Sequence, residues 1–202
     1  MIISANDLAA MEQRHRAALI NSVTGYKPAN LVGTADKAGH TNLAIMSSVV
    51  HIGSHPPLIM LVLRPDAARQ HTLANILDSR CYTLNHVNCD IVPAAHQTAA
   101  RYASDVSEFA AVKLSEHWHD SFPAPFVSEA NIRMGMELRE HKPLAINGTH
   151  LLIGELVLLE LDERVLRDDN SIDLEQAGSV AISGLDRYFS TQHLATLPYA
   201  RP

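Results

Sequence analysis

The chain predicts a mainly β fold, an antiparallel sheet or barrel with helices outside it, on three observations. Ile132, Met134, Met136 and Leu138 alternate with Asn131, Arg133, Gly135, Glu137 and Arg139, the period of two that marks a half-buried strand. Residues 58–64 (LIMLVLR) and 151–161 (LLIGELVLLEL) are apolar runs of strand length, and Gly154 inside the second reads as a bulge. Helical stretches are few, and none is placed for regular βαβ alternation. The sum is roughly six to eight strands with flanking helices. The 202 residues are 47% hydrophobic, with no internal repeat or Ser/Gly linker, so residues 1–202 read as one domain with a real core.

Taken in order, the chain opens on a helix. Asn6 is placed to cap it, Asp7 suits its first turn, and Leu8, Met11, Ala18 and Leu19 share a face. Gly25 and Pro28 end it. A strand follows at 31–35 and a turn at 36–39, while 42–51 fits a strand or an irregular loop equally well. Residues 53–57 break that stretch before the buried strand at 58–64, which Pro65 stops. Asp66 and the polar run after it lead into a short helix with Leu73, Ile76 and Leu77 on one side. A strand is expected at 81–87, an Ala-rich helix at 91–102 with Pro93 in its first turn, and a second short helix at 109–118. Pro123 and Pro125 mark an exposed loop, and 180–182 a last strand.

Composition narrows the function. Sixteen basic residues face 22 acidic ones, a formal net charge of -6, which disfavours binding to a phosphate backbone; no nucleic-acid partner is expected. No apolar run approaches the roughly 18 residues of a membrane span, and no signal-peptide pattern opens the chain. With only Cys81 and Cys89 and no CxxC, a reducing cytoplasm is the expected location. Twelve histidines raise the question of a metal, yet His117 and His119 flank Trp118, His51 and His55 straddle a Gly-Ser turn, and no HExxH occurs, so no metal site is assigned. GxSxG, GxGxxG and the phosphate loop of nucleotide hydrolases are also absent, which argues against a Rossmann site.

Three stretches carry chemistry. Residues 42–57 (NLAIMSSVVHIGSHPP) set Ser47 and Ser48 in an apolar segment. Small side chains there let backbone amides reach the edge of a flat ligand; equally, the hydroxyls can serve a strand-to-loop transition. Residues 64–76 (RPDAARQHTLANI) bring Arg64 at a strand end close to Thr72 near a helix start, where free amides and a cation favour an anion such as phosphate. The plainer alternative is that Thr72 caps the helix and Arg64 pairs with Asp66. The ending GLDRYFSTQHLATLPYARP carries Tyr188 and Tyr199 and reads as ordered; tyrosines of this kind pack on a flat ligand, a core or a partner chain.

TGYKPANLVGT (24–34), NLAIMSSVVHIGSHPPL (42–58), RPDAARQHTLANI (64–76), YTLNHV (82–87) and SEF (107–109) fall in the order seen in flavin reductase-like, FMN-binding split-barrel proteins, which the chain resembles over most of its length. GLDRYF and YARP are similar to one branch of that family. The resemblance implies that Asn42, Ala44, Ser47, Ser48, Val49 and Val50 line the isoalloxazine ring, with Ser48 the foremost polar contact. It implies that Arg64, Pro65, His71 and Thr72 hold the phosphate and ribityl chain, and that Lys27 and Asn30 face the cofactor. Tyr188 and the YARP ending would close over the site, from the same subunit or from a partner, since such proteins are usually homodimers. Lys27-Pro28 stands where the reductases commonly have Arg-Pro, and Met46-Ser47-Ser48 where Thr or Ser often precedes Phe. These departures bear on the electron donor and acceptor.

The function implied is an FMN oxidoreductase that passes electrons from NADH or NADPH to free flavin or another small-molecule acceptor. The flavin supplies the redox chemistry, so no catalytic side chain is assigned. The alternatives are an FMN-binding or electron-carrier protein without turnover and a metal-dependent hydrolase using the histidines.

Overall fold

The computed structural model describes residues 1–65, 70–103 and 105–201. Asp66, weighed above as a partner of Arg64, lies outside the described residues with the rest of the 66–69 run, Ser104 and Pro202 of the YARP ending. The elements are α1 (Ala5–Ala10), α2 (Gln13–Val23), β1 (Lys27–Pro28), β2 (Asn30–Ala35), β3 (Thr41–Met46), β4 (Val49–Ser54), β5 (Pro57–Leu63), α3 (Gln70–Ser79), β6 (Cys81–His86), α4 (Val92–Gln97), α5 (Glu108–Val112), β7 (Glu116–His119), β8 (Phe122–Val127), β9 (Ile132–Pro143), β10 (His150–Leu161), β11 (Val180–Ser183) and β12 (Arg187–Ser190). The mainly antiparallel class with flanking helices is the one expected.

The principal sheet has the order β3-β2-β6-β9-β10-β5-β4, antiparallel throughout. Its two outermost strands, β3 and β4, are consecutive in the chain and joined only by Ser47 and Ser48, so the sheet must curl to bring its ends together. The amide of Val62 in β5 donates to the Ser48 carbonyl at 2.9 Å, which carries the β5 ladder into that joint. Side chains of one face fill the inside: Val32, Met46, Leu61, Leu84, Met136 and Leu152 belong to one buried cluster. The opposite face of β2 and β3 packs Leu31, Leu43 and Ile45 against Ile91, Ala95, Phe109 and Ile182 of the surrounding elements. The outer edge of β3 is closed by side chains: the Leu43 amide donates to Glu108 Oε2 at 3.0 Å and the Ile45 amide to Thr98 Oγ1 at 2.9 Å.

Glycine matters where strands crowd. A Cβ on Gly154 would sit 2.3 Å from the Tyr82 hydroxyl, and the β9–β10 register shifts there, as expected of a bulge.

Several local expectations are corrected. The opening helix is two helices: Ser4, not Asn6, caps α1 through a reciprocal box with Asp7, and Glu12 caps α2 by accepting from the Arg14 and His15 amides. Arg16 then donates to the Leu8, Ala9 and Met11 carbonyls, which fixes the break. The helix expected at 91–102 is shorter and ends at Gln97. That at 109–118 stops at Val112 because Lys113 turns left-handed, φ 60°, and Trp118 lies on β7. Pro123 is exposed, but Pro125 is buried in strand β8, where its carbonyl accepts from Thr83 Oγ1 at 2.7 Å. The strand at 180–182 is not the last, since β12 pairs with it.

Candidate functional site

The joint between β3 and β4 opens on a cavity of about 360 Å³, within the size range of small-molecule sites. Lys27, Ser47, Ser48, Arg64 and Tyr188, separated by up to 161 positions in the sequence (188 minus 27), all line it. Each arrives for a local reason. Lys27 is on β1, which pairs with β11; Ser47 and Ser48 are the joint itself; Arg64 follows β5; Tyr188 sits on β12. The roof is the end of α2, contributing Ile20 and Asn21, with its capping residue Thr24.

The electrostatics favour an anion. Two cations, Lys27 and Arg64, line the cavity, and no carboxylate does among its described lining. The Lys27 ammonium donates to the Asn21 carbonyl at 2.7 Å and approaches Thr24 Oγ1 at 3.4 Å, so it fastens the end of α2 and retains donor capacity. Arg64 has no ion-pair partner among the described residues. The Ser47 and Ser48 hydroxyls likewise lack a partner among them. Burial, then the nearby Asp186 charge, raises the Tyr188 phenol, which therefore keeps its proton; its hydroxyl lies 3.0 Å from His96 Nδ1.

Other expected site residues lie elsewhere. Asn42 and His71 line a second cavity of about 190 Å³ with Asn75, Arg101 and Tyr102, and since Ala99 lines the first cavity, the two lie close along the chain that covers β3. Thr72 is 0% exposed, and its hydroxyl accepts from Asn42 Nδ2 at 2.9 Å. It is the third residue of α3, so it pins that helix to β3; it does not cap it. Ala44 packs inside the curled sheet and Val49 against the same cluster, while Val50 is exposed on β4. Pro65 is exposed at the end of β5 beside the Gly148 turn. Asn30 is 1% exposed, and neither atom of its amide has a partner among the described residues. It pairs across the ladder with Met46, which lines the first cavity.

The α2 residues and His96 were not among the expected site residues. α2 reaches the cavity through the turn at Gly25, and His96 acts only through Tyr188; neither leaves a local pattern in the sequence. Among the described residues no group of three or more His, Cys, Asp or Glu is placed to hold a metal ion. No described helix is long and apolar enough to cross a membrane.

The donor set suits a flavin nucleotide. Two cations match a phosphate, and two hydroxyls without a partner among the described residues match the polar edge of a ring.

Known proteins share this architecture. The family model described as Flavin reductase like domain matches residues 26–173. A crystal structure from Shewanella frigidimarina NCIMB 400, provisionally named a flavin reductase with split barrel domain, is 48% identical and superposes with a TM-score of 0.96, over 99% of this chain and 100% of that one. Nitrilotriacetate monooxygenase component B from Bacillus cereus superposes at 0.86 with 24% identity over 98% of both chains. An FMN-binding protein from Thermus thermophilus does so at 0.71 with 14% identity, over 86% of this chain and 91% of that one. The last two likenesses are of fold.

Proposed function

This chain belongs to the flavin reductase-like domain family, and on that premise we propose that it is an FMN oxidoreductase taking electrons from NADH or NADPH and passing them to free flavin or another small acceptor. The observation that carries the reading is the meeting of Lys27, Arg64, Ser47 and Ser48 in one cavity at the closure of the sheet, with no carboxylate among its described lining residues. In this reading Ser47 and Ser48 take the polar edge of the isoalloxazine, with Val49 and Val50 continuing that wall. Arg64 takes the phosphate and Pro65 follows it, while His71, in the neighbouring cavity, and Thr72, bonded to Asn42, support the site from α3. Asn42 and Ala44 position β3 from behind, and Lys27, Asn30 and Tyr188 close the remaining sides. Bound FMN supplies the two-electron chemistry; the chain supplies charge, hydrogen bonds and exclusion of water.

We read residues 1–202 as one flavin-binding unit that works as a homodimer in the cytoplasm. Apolar side chains left uncovered on one chain support the dimer: Ile20 and Val23 on α2, and Leu194, Leu197 and Tyr199 of the tail, 98%, 81% and 89% exposed. The family match ends at 173, before Tyr188.

The test is anaerobic titration of purified protein, first with FMN and then with each nicotinamide. Uptake of FMN followed by bleaching on NADH or NADPH is the expected result. Uptake without bleaching by either donor leaves an electron carrier, and no uptake removes the reading.

A further inference from the structure

We propose that Tyr188 and His96 form a proton path between water and the cavity, the phenol serving the molecule bound inside and the imidazole drawing on solvent. The inference rests on the reading of this cavity as a flavin-dependent redox site and adds the class of acceptor it is built for: flat conjugated molecules, such as quinones, that take up a proton with the electron pair.

The geometry narrows the proton donors. The described lining contains no Asp, Glu, His or Cys. Arg64 does not give up a proton in a protein, and the described partners of the Lys27 ammonium are the Asn21 carbonyl and Thr24 Oγ1, so no imidazole stands behind it to return a proton. Tyr188 remains. Its hydroxyl lies 3.0 Å from His96 Nδ1, and the two rings meet edge-on at 88° with centroids 5.7 Å apart, so strand β12 and helix α4 fix the contact from opposite sides. His96 is exposed, so its ring exchanges protons with water. The charges facing the phenol are Lys27 and Arg64 across the cavity and Asp186 on its own side; burial and Asp186 keep the phenol protonated at neutral pH.

The balance of the step is simple. A reduced nicotinamide loses a hydride and is oxidised, and the acceptor gains that electron pair. The Tyr188 O–H bond breaks as an O–H bond forms on the acceptor. The Nδ1–H proton of His96 then passes to the phenolate while Nε2 takes one proton from solvent, and exchange with water resets the tautomer. One hydride and one proton are consumed per acceptor reduced.

The experiment compares two acceptors on the FMN-loaded protein: menadione, which needs the proton, and ferricyanide, which accepts electrons alone. In Y188F and H96Q the ratio of menadione to ferricyanide turnover is expected to fall roughly tenfold or more. In H96A, added imidazole is expected to restore the ratio, which a structural role would not allow. Independently of turnover, ultraviolet titration of the cofactor-free protein, taken as the difference from Y188F, reads the Tyr188 phenol; H96Q is expected to move its midpoint. An unchanged ratio, or a phenol indifferent to His96, overturns the path. FMN affinity, measured by flavin fluorescence, separates the two levels: failure to bind FMN sinks the reading of the site, whereas normal binding with an unchanged ratio sinks the proton path alone.

Discussion

At Asn42 the side-chain amide donates to Thr72 Oγ1 at 2.9 Å, and both residues are buried. Five and six residues later on the same run, Ser47 and Ser48 carry hydroxyls with no partner among the described residues, beside two cations. The first end of β3 spends its polar groups on the protein itself, docking α3. The second end leaves them facing a cavity. Composition does not distinguish the two ends, since both are small polar residues in apolar surroundings. The difference lies in what the fold brings opposite: a helix in one case, open space in the other. A polar group already satisfied holds the scaffold, and one left unsatisfied is available to a guest.

The contrast can be broken from either side, and His86 gives the largest expected effect. It is a half-buried polar group tied to the fold: it bonds Ser179 through Nδ1 at 3.0 Å, and burial pushes it down from 6.5 to about 4. Its folded value lies below its unfolded value, so the unfolded chain binds the extra proton first. Stability is therefore complete above about pH 6.5 and is lost as pH falls toward 4, by about 3 kcal/mol. Urea melts across that range check it, and H86Q should flatten the slope.

Arg64→Ala comes next. A charge-assisted contact is worth enough that FMN affinity should fall roughly 10–100-fold while riboflavin, which lacks the phosphate, changes little. Equal weakening of both in fluorescence titrations would place the phosphate elsewhere.

The sharpest pair runs down to the smallest effect. Thr72→Val leaves the Asn42 amide buried without its acceptor and should cost about 1–3 kcal/mol of stability. Ser48→Ala should leave stability within about 0.5 kcal/mol and weaken FMN about three- to tenfold. A melt and a flavin titration on each variant check the crossing; the reverse pattern would exchange the roles assigned to the two ends.

Much of the fold was legible because single residues carry strong local constraints. The alternation from Ile132 to Leu138 has one buried face, and β9 has it. Gly154 reads as a bulge because only a residue without a side chain tolerates the Tyr82 hydroxyl. What escaped depends on partners distant in sequence. Pro125 looks like loop chemistry, yet its carbonyl is needed by Thr83 across the fold. The division of the first helix rests on Arg16 reaching back over three carbonyls, which no period reveals. In the site, Lys27, Ser47, Ser48 and Arg64 were visible through their motifs. Thr72 looked identical in kind, but its role depends on Asn42 standing 30 residues earlier. The α2 roof and His96 left no mark, because each reaches the cavity only through tertiary packing.

The outer border of β3 ends on Glu108 and Thr98, not on another strand. Those two side chains occupy the amides that a stray polypeptide would otherwise seize, so the border is shielded from runaway stacking between molecules. Deleting the Glu108 carboxylate would bare the Leu43 amide and turn a quiet margin into an adhesive one. The same economy keeps the neighbouring ground clear of any additional β ribbon.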